Sequence, residues 1–171
     1  DPERGGTLLS IFIPATVQNL NGDADIGGPH AENPFMNQRH LQTIQIDGGE
    51  NNSYKTLDGV LFDRQGTTLI AWPAAKQEAF YAIPETVRFI AAGAFAFAQH
   101  LEEITFPDTV EAIGEGAFRE MQSLQEIHLP DGLKVLSPYL FHNCRSLSIL
   151  TLPERLIGIG RHALEGCQSL S

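Results

Sequence analysis

Six histidines, two cysteines and 21 acidic residues are the groups in this 171-residue chain that could hold a metal or attack a substrate. A metal site needs several such side chains brought together, as HExxH on a helix or CxxC in a knuckle does. The histidines show no HxxxH or HExxH spacing, and neither cysteine sits in a CxxC pair. His142 is two residues from Cys144, but the two side chains are expected to point apart. The stretch from Asn21 to Gly28 is rich in Asp and Gly, as calcium loops are. An EF-hand loop beginning at Asp23 would need an acid at its twelfth position, and Pro34 stands there, so a solvated loop is the default reading. Asn51-Asn52-Ser53 is a formal glycosylation sequon that matters only in a eukaryotic secretory pathway. No nucleophile–base spacing and no Gly-rich phosphate loop is present. A non-enzymatic protein is expected, with no catalytic, metal or cofactor residue.

The cysteines instead expose the framework. Cys144 and Cys167 are 23 residues apart, and so are three uninterrupted copies of one pattern: 101–123 (LEEITFPDTVEAIGEGAFREMQS), 124–146 and 147–169. A fourth copy, 78–100, keeps Tyr81, Ile83, Pro84, Val87, Ile90, Ala94 and Phe95 in register. Two longer copies precede these. Copy 8–40 carries Leu8, Ile11, Ile13, Pro14, Val17 and Leu20 and regains register at Phe35; copy 41–77 begins with Leu41, Ile44 and Ile46 and then takes an insert. Six copies leave no room for a second domain, so residues 1–171 read as one. Both cysteines occupy repeat position 21, where Ala98 and Met121 stand in other copies, so packing is the first reading and a disulfide between copies the second.

Each copy implies a strand. Positions 4 and 6 are apolar and positions 3 and 5 mostly are not, the period-2 alternation of a half-buried strand. Position 7 is proline in five of the six copies, where a strand must stop because proline offers no N–H. Positions 10 and 13 turn inward again, and Gly114 and Gly160 then permit a turn at low steric cost. The small-then-large pair at positions 17 and 18, as in Ala117-Phe118, suits one short helical or 3-10 turn. One copy cannot bury its apolar stripe; stacked copies can. The expectation is an α/β, right-handed solenoid with one parallel sheet on its concave face and short strands or helical turns opposite.

Within copy 41–77, Asp58–Asp63 and Thr67–Trp72 flank Arg64-Gln65-Gly66, which reads as a hairpin. A competing reading notes that Ile70, Trp72 and Pro73 echo positions 4, 6 and 7, as an abbreviated repeat would. Trp72 is more readily a core plug than an exposed anchor.

Composition excludes other classes. Eleven basic against 21 acidic residues give a net charge of −10, which repels nucleic acid, and no apolar run approaches the ~20 residues of a membrane span. Asp1–Gly6 lacks a basic-then-apolar pattern, so any signal peptide is expected to be already absent from this sequence.

The repeat resembles the BspA-type leucine-rich repeats of bacterial surface proteins, close to LxxIxLPxxVxxIGxxAFxxCxxL, with Leu101–Leu124 and Leu147–Leu170 matching best. DGVLF at 58–62 and TTLIAWP at 67–73 also resemble an insert common in that family. Position 9 holds Thr16, Thr86, Thr109, Gly132 and Arg155, so the asparagine ladder of other leucine-rich repeats is missing. The resemblance implies a secreted or surface-displayed bacterial protein, acting in adhesion to host matrix or to other microbes.

Function is therefore sought on a face. Stacking places Phe80, Glu103, Glu126 and Ile149 in one outward lane, and Ala82, Thr105, His128 and Thr151 in the other, with Phe12 outward in the first copy. Glu103 and Glu126 opposed across the sheet hint at a basic partner, although a solvated face explains them too. Exposed aromatics anchor interfaces, although the insert could cover Phe80. The expected partner is a protein or glycan, with no nucleic acid and no membrane insertion. Self-association through an uncapped solenoid end is a further expectation, and a structural spacer presenting another domain is the alternative function.

Overall fold

The computed structural model describes residues 9–20, 31–48 and 50–171. The Asn21–Gly28 loop lies outside them. The two N-terminal copies supply β1 (Ser10–Ile13) and β2 (Thr43–Ile46), which pair in parallel with Ser10 opposite Thr43 and Phe12 opposite Gln45. The insert supplies β3 (Tyr54–Leu57), β4 (Val60–Asp63) and β5 (Thr68–Ala71). Each later copy then gives two strands: β6 (Phe80–Ala82) and β7 (Phe89–Ile90), β8 (Glu103–Thr105) and β9 (Ala112–Ile113), β10 (Glu126–His128) and β11 (Val135–Leu136), β12 (Ile149–Thr151) and β13 (Gly158–Ile159).

Those four later copies form regular rungs near 23 residues long. Their first strands make a four-stranded parallel sheet in the order β6, β8, β10, β12. The position-7 proline ends the strand region and opens a turn. Its carbonyl accepts the position-10 N–H, as Pro84 does from Val87 and Pro130 from Leu133, both at 3.0 Å. Their second strands, at positions 12 and 13, form another parallel ladder, β7–β9 and β11–β13. The expected parallel sheet is present, and of the short strands or helical turns expected opposite it, the short strands form. The two-residue strands are too short for alternation to betray them.

The helical half of the α/β expectation is not met, since the described residues contain no helix. The reason is a third ladder. Position 16 donates its N–H to the position-15 carbonyl of the next rung, position 18 to 17, and position 20 to 19: Gly116 to Pro138, Phe118 to Leu140, Glu120 to His142. N–H groups directed at a neighbour cannot make the i→i−4 bonds of a helix. Two left-handed residues per rung set this zigzag. Position 16 has φ 64, 58, 56 and 56° at Gly93, Gly116, Tyr139 and His162. Position 20 has φ 62, 60, 60 and 79° at Phe97, Glu120, Asn143 and Gly166. Gly114 is not among them. Its role is close approach: a Cβ there would lie 2.4 Å from the Ala92 nitrogen of the preceding rung.

The core of the regular rungs is built in columns. Position 18 stacks Phe95, Phe118 and Phe141 at 5.4 Å centroid spacing, and Trp72, 2% exposed, closes the column at 5.8 Å from Phe95. Trp72 is thus the core plug, packed also on Tyr81 at 4.6 Å, with its buried Nε1 unpartnered among the described residues.

The insert forms two hairpins. β4 and β5 pair antiparallel around 64–66, as expected. β3 and β4 form a second hairpin, Leu57 opposite Val60, turning through Asp58 (φ 50°) and Gly59 (φ 79°). That Asp-Gly turn is a strong hairpin signal that the sequence reading had absorbed into a strand. The rung reading of β5 also holds in altered form: Thr68 and Leu69 pair in parallel with Phe89 and Ile90, so β5 joins the second-strand ladder. β4 and β5 are buried on both faces. Val60, Phe62 and Leu69 face the core of the regular rungs, while Leu61, Ile70 and Ala71 face a second core with Ile13, Leu41, Ile44 and Ile46. The first two copies are therefore not plain rungs. Residues 31–33 of the first copy bypass the second altogether and bond to Ala92.

Candidate functional site

The face sheet places the candidate residues by register. Phe80 lies opposite Glu103, Glu103 opposite Glu126, and Glu126 opposite Ile149, so the first lane is continuous. In the second lane Ala82 lies opposite Thr105 and His128 opposite Thr151. Phe12 does not join them, because β1 and β2 form a separate two-stranded sheet. The Asp58-Gly59 turn intervenes. The Gly59 carbonyl accepts the Ile44 N–H at 3.0 Å, and the Asp58 carboxylate acts on Tyr81 of β6. Burial, with that carboxylate second, holds the Tyr81 phenol well above its ordinary value.

The insert leaves Phe80 uncovered: Phe80 is 66% exposed and Phe12 65%. Ile149 follows at 49%. The polar residues between them are organised. A carboxylate can only accept, so the His128 Nε2–H donates to Glu126 Oε1 at 2.7 Å and Nδ1 meets the Thr151 hydroxyl at 2.7 Å. Glu126 thus has its partner on its own strand. The opposed glutamates reduce to Glu103, which makes no ion pair among the described residues and is exposed.

The remaining candidates fall into place elsewhere. Cys144 and Cys167 are free, and each thiol donates to the position-18 carbonyl of the preceding rung, Phe118 at 2.9 Å and Phe141 at 3.1 Å. Burial pushes the Cys144 thiol up to about 12, so it is not a nucleophile at neutral pH. At position 23, Ser123 and Ser169 donate to the carbonyls of Gln99 and Arg145 in the preceding rung. Asn51 of the sequon is buried, its amide donating to Val17 and accepting from Ser53 and Tyr54. Among the described residues no group of three or more His, Cys, Asp or Glu side chains is placed to hold a metal, and no helix is long and apolar enough to cross a membrane.

Two features escaped the sequence reading. One is an apolar edge, with Ile157 81% exposed at position 11, where Arg88, Glu111 and Lys134 stand in the other rungs, and Ile159 55% exposed at position 13. Register alone flags Ile157. The other is a run of side chains along the turn ladder. Tyr139 and His162 occupy the left-handed position that is glycine in the two preceding rungs, at a cost of roughly 1–3 kcal/mol each. Their rings stack at 4.9 Å and 18°.

A family model described as BspA type leucine rich repeat region matches residues 76–171 in six copies. The chain is similar to the pneumococcal vaccine antigen PcpA, with 27% identity, a TM-score of 0.81, and coverage of 95% of this chain and 37% of that one. It is similar to a leucine rich cell surface protein from Faecalibacterium prausnitzii, with 26% identity, a TM-score of 0.74, and coverage of 96% and 47%. A leucine-rich repeat protein from Eubacterium ventriosum, 21% identical with a TM-score of 0.69 over 96% of this chain and 54% of that one, shows the fold alone. The chain therefore spans between about a third and just over half the length of these structures. No curated protein matches it in sequence.

Proposed function

We propose, taking as premise that the chain belongs to the BspA-type leucine-rich repeat family, that it is a non-enzymatic binding module of a bacterial cell surface. The reading takes residues 1–171 as one domain of six copies, 8–40, 41–77 with the insert, 78–100, 101–123, 124–146 and 147–169. Its ligand is a protein or glycan of host matrix or of another cell, engaged through the sheet face by Phe80, Glu103, Thr105, Glu126, His128, Ile149 and Thr151, with Phe12 on the neighbouring two-stranded sheet. The observation that carries it is Phe80. A phenylalanine 66% exposed, on a strand held by a backbone ladder and backed by a packed core, is an anchor that loses little entropy on binding. The similarity to a protein described as a cell surface protein supports the location.

The test is a screen of the chain against immobilised matrix proteins and a glycan array, repeated with Phe80→Ser. We expect a ligand whose affinity falls about tenfold or more in the variant, which matches an interface anchor worth about 1.4 kcal/mol or more. Ligands that bind wild type and variant alike would move the function off this face.

A second reading, a spacer within a longer repeat array, is favoured by the exposed Ile157 and Ile159. Ile159 stands at position 13, which is apolar in every regular rung, and Ile157 replaces the charged residue that the other rungs carry at position 11. Concentration-dependent dimerisation that Ile157→Lys abolishes would be the mark of self-association through that edge.

A further inference from the structure

The first lane of the face sheet runs Phe80, Glu103, Glu126, Ile149, with an exposed apolar residue at each end and two carboxylates between. Phe80 is 66% exposed and Ile149 49%. Glu126 gives one oxygen to His128. The Glu103 side chain makes neither an ion pair nor a hydrogen bond among the described residues. Nothing nearby on the face balances it. Positions 2, 3, 5 and 8 of the four regular rungs hold no Lys or Arg. Position 8, just past the strand-ending proline, is acidic in all four and exposed: Glu85, Asp108, Asp131 and Glu154. Parallel register sets like charges beside like, which is unfavourable until a cation arrives. A field of this sign attracts basic partners and repels anions. It therefore opposes acidic glycans, and equally a second copy of this chain, whose net charge is −10.

The dimensions of the lane specify the partner further. Neighbouring strands lie about 4.8 Å apart, so three steps carry the lane from β6 to β12 over roughly 14 Å. An extended chain rises about 3.3–3.4 Å per residue and shows alternate side chains to one side, so residues i, i+2 and i+4 span about the same length. With i over Phe80 and i+4 over Ile149, residue i+2 falls midway between β8 and β10, beside Glu103. The matching segment is apolar, any, basic, any, apolar. Arginine at i+2 presents a planar fork of donors that suits a carboxylate. A neutral sugar offers Glu103 no cation.

We propose that this lane binds an extended basic segment of a partner protein, with apolar side chains on Phe80 and Ile149 and an arginine or lysine between them on Glu103. The inference rests on the sheet-face reading and narrows its ligand from protein or glycan to a basic protein segment.

The probe is a short peptide, blocked at both ends, reading Gly-Ser-Leu-Thr-Arg-Thr-Leu-Ser-Gly and titrated into the whole chain at low salt. Its comparisons are the same peptide with Glu for Arg, a respaced peptide with both leucines next to the arginine, and a hyaluronan oligosaccharide. The variants are Phe80→Ser, Glu103→Lys and, as control, Val135→Ser, an exposed apolar residue on the second ladder. Thermal unfolding checks that each variant is folded. The expected result is binding of the arginine peptide, weakened about tenfold or more in Phe80→Ser, in Glu103→Lys and by added salt, and unchanged in Val135→Ser. Glu103→Lys should in turn bind the glutamate peptide that the wild type rejects, which a merely structural role for Glu103 would not produce. No binding of the arginine peptide, equal binding by Glu103→Lys, equal binding of the respaced peptide, or tighter binding of hyaluronan would overturn the proposal. If the peptide fails while a ligand from the matrix and glycan screen binds and is lost in Phe80→Ser, this proposal falls and the sheet-face reading stands.

Discussion

Residues 78–169 and residues 9–77 carry the same repeat and bury it in different ways. In the regular rungs, every inward side chain meets its own counterpart from the next copy, as the Phe95, Phe118, Phe141 column shows. In the N-terminal region the counterpart is replaced by the insert, whose strands β4 and β5 divide two cores and send alternate residues into each. The difference teaches that a solenoid rung needs an apolar neighbour of matching shape, and that a hairpin buried on both faces serves as well as another copy. It also separates the molecule into a stretch whose stability is nearest-neighbour in kind and a stretch that depends on one partition.

The largest expected effects test that separation. Phe118→Ala removes the middle of the column and should cost about 3–5 kcal/mol in urea denaturation. Hydrogen exchange should then show lost protection in the rungs on either side and retained protection in β1 and β2. Leu61→Ala, in the partition, should cost about 2–5 kcal/mol and reverse that pattern. A single exchange pattern in both variants would erase the distinction between the two regions.

Glycine substitutions should have intermediate effects. Gly114→Ala drives a Cβ into the Ala92 backbone and should cost about 1–3 kcal/mol. Gly59→Ala combines a φ of 79° with a contact 2.6 Å from Thr43 Oγ1, and should cost about as much by loosening the partition from β2. Gly158→Ala meets nothing closer than 3.8 Å and serves as the control, within about 0.5 kcal/mol of wild type. Equal thermal shifts for all three would show that close approach between rungs does not limit this fold.

The smallest effect is alkaline. Burial raises the Cys144 thiol from 9.0 to about 12, so the folded state holds its proton where the unfolded chain has released it. The stability contributed is full below about pH 9 and is lost as pH rises toward 12. Cys144→Ala should flatten that part of the stability curve while lowering stability at neutral pH. Both features are read from denaturant midpoints across that range. In the insert the buried Tyr54 phenol, also raised by burial, adds a slope of the same sign, so the Cys144 contribution is read as the difference between wild type and Cys144→Ala.

The regular rungs were legible because their pattern repeats with one period. Val110 and Ile127, at inward positions 10 and 4, are buried, and the lanes of Phe80 and Glu126 follow from the same count. The insert was legible only in part. Val60 to Asp63 is an unbroken buried run, and a strand buried on both faces shows no alternation to read. The turn-side column was hidden for another reason. Gly93, Gly116, Tyr139 and His162 look unrelated as residue types, and only their shared left-handed backbone makes them one column.

Sequence by itself determined the period, the inward positions and the outward lanes, because each of these depends on side-chain alternation within a single copy. Tertiary structure alone decided three things. The turn ladder displaced the expected helix, since backbone N–H groups found carbonyls on the next rung. The insert became a partition, since both its faces met apolar neighbours. Position 16 became one left-handed column, since it joins residues 23 apart whose types differ and whose backbones alone agree.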